Sequence, residues 1–192
     1  RCRYTVPEVV RLAYRSQLAY RSWSDFTGLR EPISNYTQLG ALWVFDRTVD
    51  QLAAESKRLH SNGVAVEILS AKDVLDRWPE LDLCIEPIDF GAVAKHQCRQ
   101  GEFFLYEVEA GIADPAGANA DLVAASKREG VDVRFGIGVA DVVTDKGRVV
   151  GVRLDNGDEV RCGLVVNAAG PWCNQINQMA GAQKRWTLTP TR

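Results

Sequence analysis

The chain has 192 residues, 46% of them apolar, and a formal net charge of −2, a length that fits one domain or two small ones with room for a core. With so little net charge and no clustered surplus of Lys and Arg, there is no electrostatic reason to expect nucleic acid or another polyanion as partner. No apolar run approaches the roughly 20 residues that span a bilayer, and no signal-peptide plan opens the chain, so no membrane span is expected.

Residues 7–28 read as a long helix. Thr5 lies just ahead, Pro7 suits the first turn, Glu8 complements the dipole and Gly28 supplies the stop. Leu12, Ala19, Trp23 and Phe26 share one side and predict the face packed on a sheet, opposite Arg11, Arg15 and Ser22. Residues 38–45 have high β propensity and predict a strand. A helix capped by Asp46 follows to His60 and is ended by Asn62 and Gly63. Residues 64–69 alternate as a half-exposed strand, and Ser70 with Asp73 forms a capping-box pattern for a short helix that Pro79 terminates.

Residues 101–108 favour a strand through Phe103, Phe104, Leu105, Tyr106 and Val108, whereas residues 90–100 read equally as loop or helical turn. Asp114 as cap and Pro115 at the first helical position begin another helix, which Gly130 stops. Beyond it the pattern shortens. Residues 131–135 and 138–143 read as strands, Asp145-Lys146-Gly147 as a turn into residues 148–154, and Asp155-Asn156-Gly157 as a strong hairpin signal before a return at residues 159–162. An antiparallel meander is the expected outcome.

The meander leads into residues 164–172, the stretch around which the rest is organised. Leu164, Val165 and Val166 are apolar on consecutive positions, the mark of a strand covered on both faces inside a parallel sheet. Ala168, Ala169 and Gly170 carry almost no side chain, so the backbone there can approach something flat or charged; a tight strand-to-helix turn in a core is the plainer reading of the same residues. The five cysteines, Cys2, Cys84, Cys98, Cys162 and Cys173, are odd in number and lack a CxxC pair. Neither a disulfide framework nor a metal site is indicated, and reduced thiols point to a cytoplasmic address. His60 and His96 stand apart from any cysteine cluster and read as ordinary surface histidines.

Taken in order, Gly111-Ile112-Ala113-Asp114-Pro115, Gly130-Val131, Val139-Ala140-Asp141-Val142, Arg148 to Val152 and Val165 to Trp172 resemble the FAD-dependent amino-acid and amine oxidoreductases, the group of D-amino-acid oxidase, glycine oxidase and the sarcosine oxidases. The resemblance implies a mixed α/β (α+β) fold, with a substrate-domain sheet plus part of a Rossmann-like FAD-binding domain carrying the antiparallel meander. It divides the chain into a linking helix at residues 1–37, a substrate-binding domain at 38–111 and a partial FAD-binding domain at 112–192. It implies FAD as cofactor, with Val139 facing the adenine and Ala168, Ala169, Gly170 and Trp172 running beside the ribose and pyrophosphate. Arg1 or Arg3 matches a basic residue near the substrate carboxylate, a role suited to a guanidinium. Tyr106 and His96 are candidate pocket groups, and no residue stands out as general base.

The implied activity is oxidation of a C–N bond of an amino acid or N-methylated amine, with hydride passing to the flavin. The family's GxGxxG loop is not among these residues, so the sequence reads as the middle of an enzyme, inactive in isolation. Residues 188–192 read as the entry to a further segment. Two other readings stand beside it: a non-catalytic fragment or subunit whose partner supplies the dinucleotide loop, and a flavin dehydrogenase of a hydroxy acid or glycerol phosphate. Assembly with a partner subunit or with further copies of the chain belongs to the same set of expectations.

Overall fold

In the computed structural model, residues 1–87, 91 and 95–182 are described. The expected entry at residues 188–192 and part of the ambiguous stretch at 90–100 lie outside them. The chain divides into two compact units, Arg1–Val131 and Asp132–Arg192. All strand pairing among the described residues is antiparallel, so the mixed α/β architecture is observed without the parallel sheet expected around residue 164. No described helix is long and apolar enough to cross a membrane.

The first unit is built on a sheet of order β2-β4-β3, formed by β2 (Ala41–Trp43), β3 (Val66–Ser70) and β4 (Phe103–Glu107). The central strand β4 is apolar on both faces, because successive residues of a strand point to opposite sides. Phe103 and Leu105 join Val10, Leu52, Leu59 and Val66 in one core cluster, while Phe104 and Tyr106 pack with Leu69, Val74, Leu83 and Trp78 in another. A two-stranded ribbon pairs β1 (Tyr36–Gln38) with β5 (Gly111–Ala113).

The single strand expected at 38–45 is therefore two strands in two sheets. Gly40 makes the corner: its φ is +76°, and a Cβ there would lie 2.0 Å from the Tyr106 hydroxyl oxygen. The amides of Leu39 and Gly40 both donate to the Ala110 carbonyl (3.0 and 2.8 Å), which fixes the turn.

The long helix is likewise two, α1 (Pro7–Arg21) and α2 (Trp23–Thr27), broken at Ser22 and stopped by Gly28 in the left-handed region. The break lets Trp23 turn inward, where its indole N–H donates to Asp121 at 2.8 Å. The buried face of α1 also differs from the expected one. On α1 Val10 and Gln17 are buried, whereas Leu12 on α1 and Phe26 on α2 are 65% and 60% exposed, because the core clusters on Cys2, Val10 and the packed Ala13 and Tyr14.

Helix α3 (Val49–His60) begins at Thr48 and not at Asp46. Thr48 and Gln51 form a reciprocal capping box, satisfying two amides that a helix end otherwise leaves without partners, and Asp46 is drawn to Arg99 at 2.7 Å. The box expected at Ser70 and Asp73 caps α4 (Ala71–Arg77) as read. Helix α5 (Pro115–Arg128) has Asp114 as its cap, accepting from the amides of Ala116 and Gly117.

On α5 the Asp121 carboxylate accepts from Trp23 and from the amides of Ile33 and Ser34, each at 2.8 Å. Burial pushes its pKa upward, yet the three hydrogen bonds outweigh burial and hold the carboxyl below its ordinary 3.8. A carboxylate depressed in the folded state stabilises it above the unfolded pKa, and that contribution is lost as pH falls through the folded value. Asp121→Asn is therefore expected to lower stability at neutral pH and to flatten the loss of stability below about pH 4. Denaturant midpoints measured across pH 2–7 check this, and parallel acid limbs in the two proteins would contradict it.

The second unit is the expected meander, β6 (Val139–Asp145), β7 (Arg148–Leu154) and β8 (Glu159–Arg161) in that order. Lys146 and Gly147, with φ of +48° and +76°, form the two-residue hairpin turn whose twist matches the flanking strands. Residues 131–135, expected as a strand, form none and pair with no described strand; Arg134 folds back on Asp132 at 2.8 Å.

Residues 164–169 form no strand either. Leu164 and Val166 are 77% and 79% exposed, because a two-face-buried strand needs hydrogen-bonded neighbours and cover on each side, and none of the described residues provides them. A 3-10 turn at Gly170–Trp172 leads into α6 (Cys173–Met179), which packs against β6.

Candidate functional site

The second unit contains the five residues expected to meet the cofactor. Val139 opens β6 opposite Leu154 and is 38% exposed. Asn167 shapes the segment after it, accepting from the Ala169 amide at 3.2 Å and donating to the Cys173 carbonyl and the Asn177 side chain at 2.9 Å each. The result is a ledge. Ala168 and Gly170 are exposed, Trp172 is 64% exposed, and a Cβ built at Gly170 (φ +53°) meets nothing within 4 Å. Among the described residues this backbone is open and flanked by an exposed indole, not packed as a turn inside a core.

In the first unit, Arg1 and Arg3 gather over aromatic rings. The Arg1 guanidinium stands 5.4 Å from the Trp43 ring and 5.7 Å from Tyr4, and that of Arg3 stands 4.8 Å from Trp43 and 4.4 Å from Phe45. Arg3 also forms an ion pair with Glu55 at 2.9 Å, so its fork already holds a carboxylate of the protein. Arg1 is exposed and lines, with Tyr4, Tyr20 and Tyr36, a cleft of about 480 Å³ whose wall is the outer face of α1. Tyr106 does not line this cleft. It packs against Trp78 with ring centroids 5.2 Å apart and donates to the Leu39 carbonyl.

Beneath the arginines lies a buried group that no sequence signal marked. Glu107, 1% exposed, accepts from the Cys2 amide (2.6 Å), the Arg3 amide (3.2 Å) and the Trp43 indole (2.7 Å). Alternation along β4 turns it to the Leu105 face, where the N-terminal segment crosses. Burial, and then the charge of Glu107, push the neighbouring Cys2 thiol up to about 11.

Cys84, His96 and Cys98 also come together, against the expectation that His96 stands apart from the cysteines. Their ligand atoms lie within 4.8 Å of one another, and Cys84 Sγ is 3.3 Å from His96 Nε2. Hydrogen bonds from Cys98 and then His96 pull the Cys84 thiol down, while sharing that bond pushes Cys98 up to about 11. The only sequence signal was the His-x-Cys spacing, which puts both side chains on one face of an extended chain.

Comparison with known proteins gives one family-level match: the model described as FAD dependent oxidoreductase matches residues 2–192. The hydrogen cyanide synthase subunit HcnC of Pseudomonas aeruginosa is 33% identical over 60 residues, which are 31% of this chain and 14% of that protein. L-proline dehydrogenase from P. horikoshii superposes with a TM-score of 0.78 at 21% identity, over 96% of this chain and 44% of that one. Glycine oxidase from Geobacillus kaustophilus superposes with a TM-score of 0.69 at 17% identity, over 93% and 44%. The chain thus spans less than half the length of the solved structures it resembles.

Proposed function

The chain belongs to the family of FAD dependent oxidoreductases, and on that premise we propose that it is part of an enzyme oxidising the C–N bond of an amino acid or N-methylated amine. The bound flavin supplies the chemistry by accepting the hydride. The observation that carries the reading is the match over residues 2–192; proline dehydrogenase and glycine oxidase, both named for amino-acid substrates, share the fold.

In this reading the ledge from Ala168 to Trp172, with Val139, is one side of the flavin cradle. The phosphate-binding glycine loop and the cover for Leu164 and Val166 are not supplied by the described residues. The open guanidinium of Arg1, stacked on Tyr4 and Trp43, receives the substrate carboxylate, since Arg3 is committed to Glu55. Tyr106 contributes packing beneath the sheet.

The test is anaerobic mixing of the full-length protein with a panel of amino acids, N-methylated amines, 2-hydroxy acids and glycerol phosphate, followed by flavin absorbance. Bleaching by an amino acid or amine is expected. Arg1→Met is expected to raise the concentration needed by about 10- to 100-fold, the loss of a charge-assisted contact of about 1.5–3 kcal/mol. Bleaching by hydroxy acids or glycerol phosphate alone, or a protein without flavin, would overturn the assignment.

A further inference from the structure

The chain crosses itself between residues 83–86 and 98–101. Cys84 bridges Gln100, the Ile85 amide donates to the Arg99 carbonyl at 2.9 Å, and the Gly101 amide donates to the Leu83 carbonyl at 3.0 Å. This short ladder places Cys98 diagonally across from Cys84, on the face that His96 shares by its two-residue offset. We propose that Cys84, His96 and Cys98 form a three-donor site for a zinc-like d10 cation, its fourth position open to solvent.

Two thiolates and an imidazole are the donor set that selects Zn²⁺ over Mg²⁺ or Ca²⁺, which take oxygen ligands. Tetrahedral coordination at Zn–S of ~2.3 Å and Zn–N of ~2.0 Å places neighbouring donors ~3.5–3.8 Å apart. The Cys84–His96 separation of 3.3 Å and the 4.8 Å limit on all three need only small side-chain adjustments to meet that.

The surroundings orient the donors in the manner of outer-shell partners. Gln100 donates its side-chain amide to Cys98 Sγ at 3.1 Å and to Asp82 at 3.3 Å, and Asp82 accepts from the Cys84 amide at 3.0 Å. Arg99 clamps the ladder through Glu86 and Asp46, each at 2.7 Å. Cys84 is half-buried and the other two donors are exposed, so an ion reaches them without rearrangement of the core. The site's role is to pin the open end of the ladder.

The test uses the full-length protein, reduced and stripped of metal by a chelator. Co²⁺ added to it is expected to give the thiolate charge-transfer and tetrahedral d–d absorption in difference spectra, saturating at a single equivalent. Zn²⁺ should abolish the signal, and native mass spectrometry should show the same stoichiometry. Cys84→Ser, Cys98→Ser and His96→Ala each weaken binding by at least ~100-fold, and Gln100→Ala by about 10–100-fold, the range for outer-shell partners. Cys162→Ser and Cys173→Ser leave it unchanged. Flavin content and circular dichroism check that each variant folds. A reduced protein that takes up no Co²⁺, or a signal that survives in Cys84→Ser and Cys98→Ser, overturns the proposal.

Discussion

Glu107→Ala is expected to destabilise the Arg1–Val131 unit by about 3–5 kcal/mol, the range for breaking a buried charged network. The carboxylate is sealed from water and serves three donors: the Cys2 and Arg3 amides and the Trp43 indole. Its removal leaves the buried Cys2 amide and the part-buried Arg3 amide and Trp43 indole without an acceptor, and each buried unpaired donor costs about 1–3 kcal/mol, less where water reaches it. Against a total stability of roughly 5–15 kcal/mol this is a large fraction, and at about 4 °C per kcal/mol it lowers the melting temperature by about 12–20 °C. Glu107→Gln keeps one acceptor oxygen and should fall between, at about 1–3 kcal/mol.

Glu109, two residues on, provides the contrast. It pairs with Arg21 at 2.7 Å with both side chains about a third exposed, and such pairs contribute about 0–1 kcal/mol. Denaturation of the full-length variants, followed by tryptophan fluorescence, separates the two. Equal effects at 107 and 109 would show that the buried network does not anchor the N-terminal segment.

The second large effect is expected at the ledge. Ala168→Leu adds bulk to an exposed position, so the folded chain should lose no more than about 0.5 kcal/mol, as surface substitutions usually do. If a flavin lies against that backbone, the same side chain must push it away. Overpacking costs about 1–3 kcal/mol, which corresponds to about 10- to 100-fold weaker FAD binding. Thr144→Leu, also exposed and near the far end of β6, should leave affinity unchanged. FAD titration into the deflavinated full-length protein reads both numbers, and an Ala168→Leu protein that binds as tightly as the parent would remove the ledge from the cradle.

The contrast between these positions shows what could be read from residue order. The capping box at Ser70 and Asp73, Asp114 with Pro115 at the head of α5, the two-residue turn at Lys146-Gly147 and the meander itself were legible, because each is decided by side chains and backbone within a few residues of one another. The five spaced blocks that marked the family are also read along the chain. The Thr48 box was equally local and was missed only because Asp46 stands closer to the preceding strand and is an equally good cap in isolation.

Burial and convergence were decided elsewhere. Leu12 looked like a core residue and Val10 did not stand out, yet the choice between two apolar faces of α1 depends on where β4 and α3 lie. Residues 164–166 have the composition of a buried strand, but composition cannot supply the neighbouring strands that would bury them. Sequence by itself determined the caps of α4 and α5, the turn at Lys146-Gly147, the meander and the family. Tertiary structure alone made Glu107 an anchor and Cys84, His96 and Cys98 a cluster, because contacts between residues 105 positions apart at Cys2 and Glu107, or across the ladder joining Cys84 to Gln100, exist only once the backbone has closed on itself.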